Sequence, residues 1–234
     1  SFDKKNNLYF VKEGSKKLAF YHKKQALYAY SNGIFIRIQT IKKDYLLENI
    51  NFKKSDVIID IGANVGDLYQ YLNSLKINNL IYYAFEPSAL EYKCLKLNTK
   101  GKFFKMGLWN KKTLLNFFSA SETADSSFIE PKGYDNVSKK LVNRLDNVVS
   151  KKKIKLLKLE AEGAEIEVIL GAKNILKNIE YISADLGYER GKLEKSTLIP
   201  VTNFLLKNNY ELIDFNIDRV VALYKNTKQN KNLN

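Results

Sequence analysis

The chain has 234 residues, of which 45% are apolar, with one cysteine, one histidine and a formal net charge of +14. A single cysteine excludes an intrachain disulfide and a cysteine-rich zinc site, and a single histidine excludes a histidine-pair metal site. No apolar run reaches the roughly 18–20 residues of a membrane span and no signal peptide is recognised, so we expect a cytoplasmic protein.

The excess of positive charge would attract nucleic acid, phosphorylated sugars or anionic lipid. A solvated, lysine-rich surface without a partner is an equally good interpretation. Nucleic acid is disfavoured, because lysine far outnumbers arginine and arginine is the residue that reads bases. Peripheral contact with a membrane and a homodimer both stay open.

Residues 1–50 are interpreted as a small β-rich extension that caps the main domain or forms a dimerisation arm. Short aromatic or β-branched runs at 8–11, 17–21, 26–30 and 34–38 predict strands. Glycine and serine between some of these runs supply the turns. A helix is expected near residues 43–49.

Residues 51–226 alternate between strands and helices and are predicted to form the main domain. Strands are expected at 57–61, 80–85, 102–108, 114–119, 154–159, 179–186, 210–215 and 220–224, and helices at 67–75, 88–98, 164–176 and 197–208. This order predicts an α/β fold with a mostly parallel sheet, helices on both faces and an antiparallel C-terminal hairpin. A polar loop is expected at 120–135 and a disordered tail at 227–234.

The segment 60–66, Asp-Ile-Gly-Ala-Asn-Val-Gly, follows a buried strand and opens a helix. Gly62 and Gly66 allow a tight turn and a close approach of the backbone to a ligand. The third glycine of dinucleotide-binding loops is missing, and Asp60 would repel a pyrophosphate. An ordinary glycine-rich turn is the alternative to a cofactor loop.

Glu86 is predicted to end the next strand, 20 residues after Gly66. A carboxylate in this position can accept hydrogen bonds from both hydroxyl groups of a ribose. A surface glutamate is the alternative, but its coincidence with the glycine-rich loop favours a cofactor that contains a nucleoside.

The segment 160–165, Glu-Ala-Glu-Gly-Ala-Glu, follows another apolar strand and opens a helix. Ligands of open parallel sheets bind beyond the carboxyl ends of the strands, so Glu160 or Glu162 should face the crevice. Favourable interaction with the helix dipole is an alternative role for Glu162 and Glu165.

The segments 57–66, 84–87 and 157–165 together resemble the FkbM family of S-adenosylmethionine-dependent methyltransferases in motif, order and spacing. The resemblance covers residues 56–224. It implies a Rossmann-like class I methyltransferase sheet and S-adenosylmethionine as the cofactor. Glu160 stands where the family usually has an aspartate, so a role that requires aspartate geometry, metal ligation included, is in doubt.

The resemblance also implies contacts to the cofactor. They involve Asp60, Gly62, Ala63, Asn64, Gly66, Glu86, Pro87, Gly107, Leu108 and Glu160. Asp125, Ser126 and Ser127 resemble a family feature after the third strand and are predicted to bind the substrate. The implied reaction is O-methylation of a hydroxyl group on a sugar or secondary metabolite, and we favour a sugar in bacterial surface polysaccharide biosynthesis.

Methyl transfer to a hydroxyl group is helped by a group that removes its proton. Asp185 is predicted to end a strand at the crevice and is the favoured base, with Glu189 and Glu160 as further candidates. Arg190 is predicted to clamp a phosphate or carboxylate of the acceptor, such as a phosphorylated or nucleotide-linked sugar. A divalent metal held by Glu160 and Asp185 is a less favoured alternative.

Other functions stay open at this stage. A nucleic-acid methyltransferase fits the charge, but the chain has no Asn-Pro-Pro-Tyr motif, and Cys94 does not follow a proline as a cytosine-attacking cysteine does. A non-catalytic, methyltransferase-like binding module is a further alternative. A nucleotide-binding dehydrogenase is disfavoured by the glycine spacing.

Overall fold

The structure is a computed structural model and describes residues 1–122, 124–150 and 153–228. The strands are β1 (Phe2–Asp3), β2 (Leu8–Glu13), β3 (Lys16–Phe20), β4 (Val57–Ile61), β5 (Ile81–Phe85), β6 (Lys102–Phe104), β7 (Gly107–Leu108), β8 (Thr113–Ser119), β9 (Ser126–Ser127), β10 (Asn136–Asn143), β11 (Ile154–Leu159), β12 (Ile179–Asp185), β13 (Tyr210–Asn216) and β14 (Val221–Asn226). The helices are α1 (Lys23–Ala29), α2 (Gly33–Asp44), α3 (Asp67–Ser74), α4 (Ala89–Asn98), α5 (Leu145–Val148), α6 (Glu165–Gly171) and α7 (Leu198–Lys207), with short 3-10 helices at Leu47–Asn49 and Leu176–Asn178.

A seven-stranded sheet with the order β13-β14-β12-β11-β4-β5-β6 forms the centre of the molecule. The neighbouring strands from β12 to β6 pair in parallel. β14 runs antiparallel to both of its neighbours and forms the C-terminal hairpin with β13. The predicted α/β fold, with a mostly parallel Rossmann-like sheet and an antiparallel C-terminal hairpin, is confirmed.

Both faces of this sheet are covered, and every residue of β4 and β11 is buried. Successive side chains of a strand point to opposite faces, so Ile58 and Ile59 enter different cores. Ile58 packs in the core that contains α2 and α3, and Ile59 packs in the core that contains α6 and α7. Burial on both faces explains why these strands read as continuous apolar runs.

The prediction of four strands in the N-terminal segment is correct for two of them and wrong for the other two. β2 and β3 form the expected hairpin, with β1 beside them. Residues 26–30 and 34–38, predicted as strands, instead lie almost entirely in α1 and α2. Ile34, Ile38 and Ile41 are buried at helical spacing, so packing of one helix face overrides the β propensity of isoleucine.

A four-stranded sheet, β7-β10-β8-β9, is built from the chain between β6 and β11. β10 is absent from the prediction because its polar residues obscure the strand pattern, yet it pairs with β8 along seven residues. The strand predicted at 102–108 divides, with β6 in the main sheet and β7 in the small one. The loop predicted at 120–135 contains the short strand β9.

The domain boundary predicted at residue 50 stays a prediction. Side chains on both sides of it, such as Ile34, Leu47 and Leu68, share one hydrophobic core. Most of the tail predicted at 227–234 lies outside the described residues, which end at Lys228. Within the described ranges, no helix has the length and apolar character needed to cross a membrane.

Candidate active site

Four parallel strands end at one edge of the main sheet. β4 ends at Ile61, β5 at Phe85, β11 at Leu159 and β12 at Asp185. Ile61 pairs with Phe85 on one side and with Leu159 on the other. The segments that follow these strands are therefore neighbours, which is how a parallel sheet assembles a ligand site from distant parts of a chain.

The loop between β4 and α3 is packed tightly against its surroundings. Gly62 has a φ of +69°, and a Cβ atom at this residue would lie 2.0 Å from the backbone oxygen of Glu160. Gly66 has a φ of +97°, and a Cβ atom there would lie 2.2 Å from the methyl group of Thr99. Both positions therefore require glycine, and the loop backbone can lie directly against a ligand.

Glu86 follows β5 and is held by the backbone on both sides. Its Oε2 accepts a hydrogen bond from the N–H of Asn64 at 2.9 Å, and its Oε1 accepts one from the N–H of Ser88 at 2.8 Å. Burial, with a smaller contribution from Glu91, raises the pKa of Glu86 to about 8. Each carboxylate oxygen has a second lone pair, so Glu86 can accept further hydrogen bonds from a ligand.

The first cavity lies between the β4–α3 loop and the small sheet and encloses about 690 Å³, its open mouth included. Its apolar walls are formed by Ile61, Phe85, Met106, Leu108, Phe117, Phe128 and Val168. The predicted cofactor residues in the lining are Gly62, Asn64, Glu86, Pro87, Gly107, Leu108 and Glu160, together with the predicted substrate residues Ser126 and Ser127. An apolar slot with a carboxylate at one side suits a flat heterocycle joined to a sugar diol.

The second cavity lies between the N-terminal helices and the same loop and encloses about 1140 Å³, its mouth included. Its polar lining consists of Lys24, Gln25, Tyr28, Tyr30, Arg37, Tyr45, Asp60, Asn64, Asp67, Asp125, Lys158, Glu160, Glu162 and Arg219. The residues that line both cavities are Gly62, Asn64, Ala124, Glu160 and Glu162. Ligands in the two cavities would therefore meet beside the two glutamates.

Lys158 is a buried cation between two carboxylates. Its Nζ lies 2.7 Å from Oε2 of Glu160 and 3.4 Å from Oδ1 of Asp60, and it donates to the carbonyl of Gly62 at 2.9 Å. Burial alone would lower the pKa of Lys158, but the two carboxylates outweigh burial and raise it above the ordinary value. The predicted cofactor residue Asp60 also accepts a hydrogen bond from the hydroxyl of Tyr82. Lys158 thus fixes the positions of Asp60, Glu160 and the glycine loop together.

Asp185, the favoured base of the sequence-based prediction, is paired with an arginine. Its Oδ2 lies 2.5 Å from Nη2 of Arg219, whose same nitrogen lies 3.6 Å from Oε1 of Glu160. Burial nevertheless raises the pKa of Asp185. The guanidinium takes the place between the two carboxylates that a metal ion would need, and no group of three or more metal-ligating side chains occurs within the described residues. The catalytic role of Asp185 stays a prediction.

Glu162 and Glu189 are carboxylates with raised pKa values. Burial is the main cause of the raised pKa of Glu162, and the nearby carboxylates of Glu189, Glu160 and Asp125 add to it. Burial, with contributions from Asp185 and Glu160, raises the pKa of Glu189 to about 8. Carboxyl groups with pKa values raised in this way are candidates for acid–base roles.

The predicted substrate residues Arg190, Asp125 and Ser127 differ in their contacts and in whether they line a cavity. Arg190 forms a bidentate ion pair with Glu167, at 2.7 and 2.9 Å, and it lines neither of the two cavities within the described residues. Asp125 lines the second cavity, and the hydroxyl of Ser127 donates to the carbonyl of Glu162 at 2.7 Å. Ser127 therefore ties the small sheet to the acidic loop after β11.

Comparison with known protein families gives a clear assignment. The profile of the family described as the methyltransferase FkbM domain matches residues 60–212. The chain belongs to the FkbM methyltransferase family. The matched region contains the strand ends described above, whereas the N-terminal segment lies outside it. No curated protein gives a significant match to the chain.

Solved structures with similar folds include other methyltransferases. The methyltransferase FkbM from Methylobacillus flagellatus KT has a TM-score of 0.54 and 16% identity, covering 75% of this chain and 44% of its own. The chain thus spans less than half the length of that relative. The N-terminal domain of human METTL16 in complex with SAH has a TM-score of 0.44 and 16% identity, covering 82% and 68% of the two chains. A SAM-dependent methyltransferase from Aquifex aeolicus has a TM-score of 0.46 and 11% identity, covering 86% and 92%.

The structure adds charged residues to this FkbM site that the sequence-based prediction did not include. Lys158 carries a signal in the sequence, since a lysine inside an apolar strand requires a buried partner. Arg219 and Tyr45 carry none, because they lie in a turn and at a helix end far along the chain from the motifs. Tyr45 helps to lower the pKa of Glu160, a contribution that appears only in the folded chain.

Proposed function

We propose that this FkbM methyltransferase transfers the methyl group of S-adenosylmethionine to a hydroxyl group of a sugar in a surface glycan. The observation that carries the proposal is the meeting of two cavities beside Glu160 and Glu162, one with an apolar wall and few charged side chains and one lined by many charged side chains. A donor and an acceptor in these cavities would face each other across a pair of carboxylates. Such an arrangement suits group transfer between two bound molecules.

The first cavity fits the cofactor. Its apolar walls match an adenine ring, and Glu86 lies where it can accept hydrogen bonds from ribose hydroxyl groups. Gly62 lines this cavity, and the lack of a Cβ atom lets its backbone approach the backbone oxygen of Glu160 closely. When bound, the cofactor supplies an electrophilic methyl group on a positively charged sulfur, and the carboxylates of Glu160 and Asp60 favour positive charge nearby.

Glu162 is the residue that we assign as the general base. It lines both cavities, and burial among other carboxylates raises its pKa well above the ordinary value. Once ionised, a carboxylate with a raised pKa is a stronger base, which suits removal of the proton that the acceptor hydroxyl loses. Asp185 is less suited, because its carboxylate is already paired with Arg219 and, within the described residues, it lines neither cavity.

A sugar is the acceptor class that best fits the second cavity. Its cations Lys24, Arg37, Lys158 and Arg219 are each paired with a carboxylate, so they leave little positive charge for an anionic acceptor. Gln25 donates through Nε2 to Oδ1 of Asn64 at 2.7 Å, and both amides keep further donors and acceptors that can bind hydroxyl groups. Tyr28 is 79% exposed at the mouth and offers an aromatic face for a sugar ring.

The cofactor site is tested by calorimetric titration of the protein with S-adenosylhomocysteine. We expect micromolar binding by the wild type, loss of binding in Glu86→Ala, and unchanged binding in the surface control Glu211→Ala. Absence of wild-type binding, or equal binding by Glu86→Ala, would contradict the proposed cofactor pocket.

The acceptor is tested with methyl-labelled S-adenosylmethionine and a panel of nucleotide sugars, purified bacterial polysaccharide and RNA. We expect label in a sugar or polysaccharide, at an alkali-stable ether linkage. Label in RNA alone would replace the sugar with the alternative acceptor. Label in no substrate, despite S-adenosylhomocysteine binding, would favour a non-catalytic binding module.

A further inference from the structure

The outward faces of α1 and α2 carry large apolar side chains that are exposed. Leu27 and Tyr28, at the end of α1, are 57% and 79% exposed. Phe35 and Ile36, at the start of α2, are 61% and 47% exposed. Only residues 30–32 separate the two helices, so these four side chains flank one connection. We call the region 27–36 the apolar tip.

Lysines border the apolar tip at helical spacing. Lys23 and Lys24 are exposed one turn before Leu27 and Tyr28 on the same face of α1. Lys43 is exposed two turns after Ile36 on the same side of α2. Apolar side chains in the middle with lysines on both sides are typical of helices that lie in the interface of a membrane.

The whole N-terminal segment is strongly basic. Residues 1–54 contain twelve lysines and arginines and four aspartates and glutamates. The whole chain contains 39 lysines and arginines and 25 aspartates and glutamates. More than half of the net positive charge of the protein therefore lies in less than a quarter of its length. A positive field of this density attracts an anionic surface and repels a second copy of the same segment.

The chemistry of the tip favours lipid over nucleic acid. Leu27 and Ile36 are aliphatic and gain only from insertion among acyl chains, whereas stacking on bases would use only the other two side chains, Tyr28 and Phe35. Arg37 is the only arginine in residues 1–54, and its guanidinium is bound to Asp67 at 2.6 Å and 2.8 Å. The segment thus has little capacity for reading bases.

We propose that the apolar tip inserts into the surface of an anionic lipid bilayer, with the flanking lysines at the headgroups. Tyr28 belongs both to the tip and to the lining of the second cavity. Docking therefore brings the mouth of that cavity to the bilayer surface. That the acceptor is a sugar presented at the membrane rests on the proposed function, whereas docking itself does not.

The test is co-sedimentation of the full chain with vesicles, without cofactor or acceptor. Vesicles of phosphatidylcholine with phosphatidylglycerol should retain the protein, phosphatidylcholine alone should not, and added NaCl should weaken retention. For the double variant Leu27→Ser/Phe35→Ser, the partition coefficient of the protein onto these vesicles should fall at least about tenfold, because two apolar side chains no longer insert. The matched control Leu193→Ser/Ile199→Ser, which changes two residues that are 76% and 73% exposed elsewhere, should bind as the wild type does.

The possible outcomes distinguish membrane docking of the tip from dimerisation, from RNA binding and from methyl transfer. Circular dichroism and S-adenosylhomocysteine binding should be unchanged in the tip variant, which shows that the fold and the cofactor site are intact. The proposal is overturned if the wild type ignores anionic vesicles or if both double variants bind equally well. It is also overturned if the tip variant instead loses a dimer in analytical ultracentrifugation, or loses RNA binding with vesicle binding intact.

Discussion

Binding of S-adenosylhomocysteine should depend on the protonation of Glu86. In the free protein, burial raises the pKa of Glu86 to about 8, so its carboxyl group is mostly protonated at pH 7. Both oxygens already accept a backbone hydrogen bond, and a bound proton takes up a further lone pair. Ribose hydroxyl groups donate more strongly to the ionised carboxylate, so ligand binding should lower the pKa and release a proton.

The size of the effect follows from the linkage between binding and titration. Because the ligand prefers the ionised form, affinity rises with pH and levels off above the pKa of the free protein. Each pH unit below about 8 should weaken binding about tenfold, which corresponds to about 1.4 kcal/mol. Between pH 6 and pH 8, the dissociation constant should therefore fall about fiftyfold, because about half of the Glu86 carboxyl groups are still protonated at pH 8.

The assay is isothermal titration calorimetry at pH 6, 7 and 8 in two buffers with different ionisation enthalpies. The difference between the buffers should report release of close to one proton per bound ligand at pH 6 and 7. The variant Glu86→Gln, which keeps the shape but cannot titrate, should bind with a nearly flat pH profile. A flat profile in the wild type, or an equally steep one in Glu86→Gln, would refute the role assigned to Glu86.

Three further substitutions have defined outcomes. Glu162→Gln should lower kcat by about 10²–10⁴-fold while S-adenosylhomocysteine binding persists, and normal turnover would remove it as the base. Gly62→Ala places a Cβ atom 2.0 Å from the backbone oxygen of Glu160 at a φ of +69°, so thermal unfolding should show a loss of about 2 kcal/mol or more, together with weaker ligand binding. Lys158→Met leaves Asp60 and Glu160 without their cation and should cost about 3–5 kcal/mol in denaturant unfolding, whereas an unchanged midpoint would show that this ion pair contributes nothing to stability.

The main sheet was predictable because its physical signals are local. Burial on both faces makes β4 and β11 continuous apolar runs, and the residues after them mark the strand ends. The glycines of the β4–α3 loop and Glu86 could be placed in the same way. The parallel order then implied that these segments share one edge.

The N-terminal helices and β10 were missed for different reasons. In α2, Ile34, Ile38 and Ile41 have helical spacing, but β-branched residues also suit strands, and only packing on the core decides between them. β10 has a polar sequence, and its pairing partner β8 lies in a segment separated from it by a long loop. Neither choice can be made from a window of neighbouring residues.

The sequence by itself determined the class of fold, the glycine loop, the position of Glu86 after the second strand of the main sheet and the resemblance to the FkbM methyltransferases. These features depend on residue types at short spacing, which a chain shows before it folds. Tertiary structure alone decided which charges meet: Lys158 between Asp60 and Glu160, and Arg219 between Asp185 and Glu160. The physical reason is that ion pairing and burial depend on distance and solvent exclusion in the folded chain, and both set the pKa values that decide which carboxylate can act as a base.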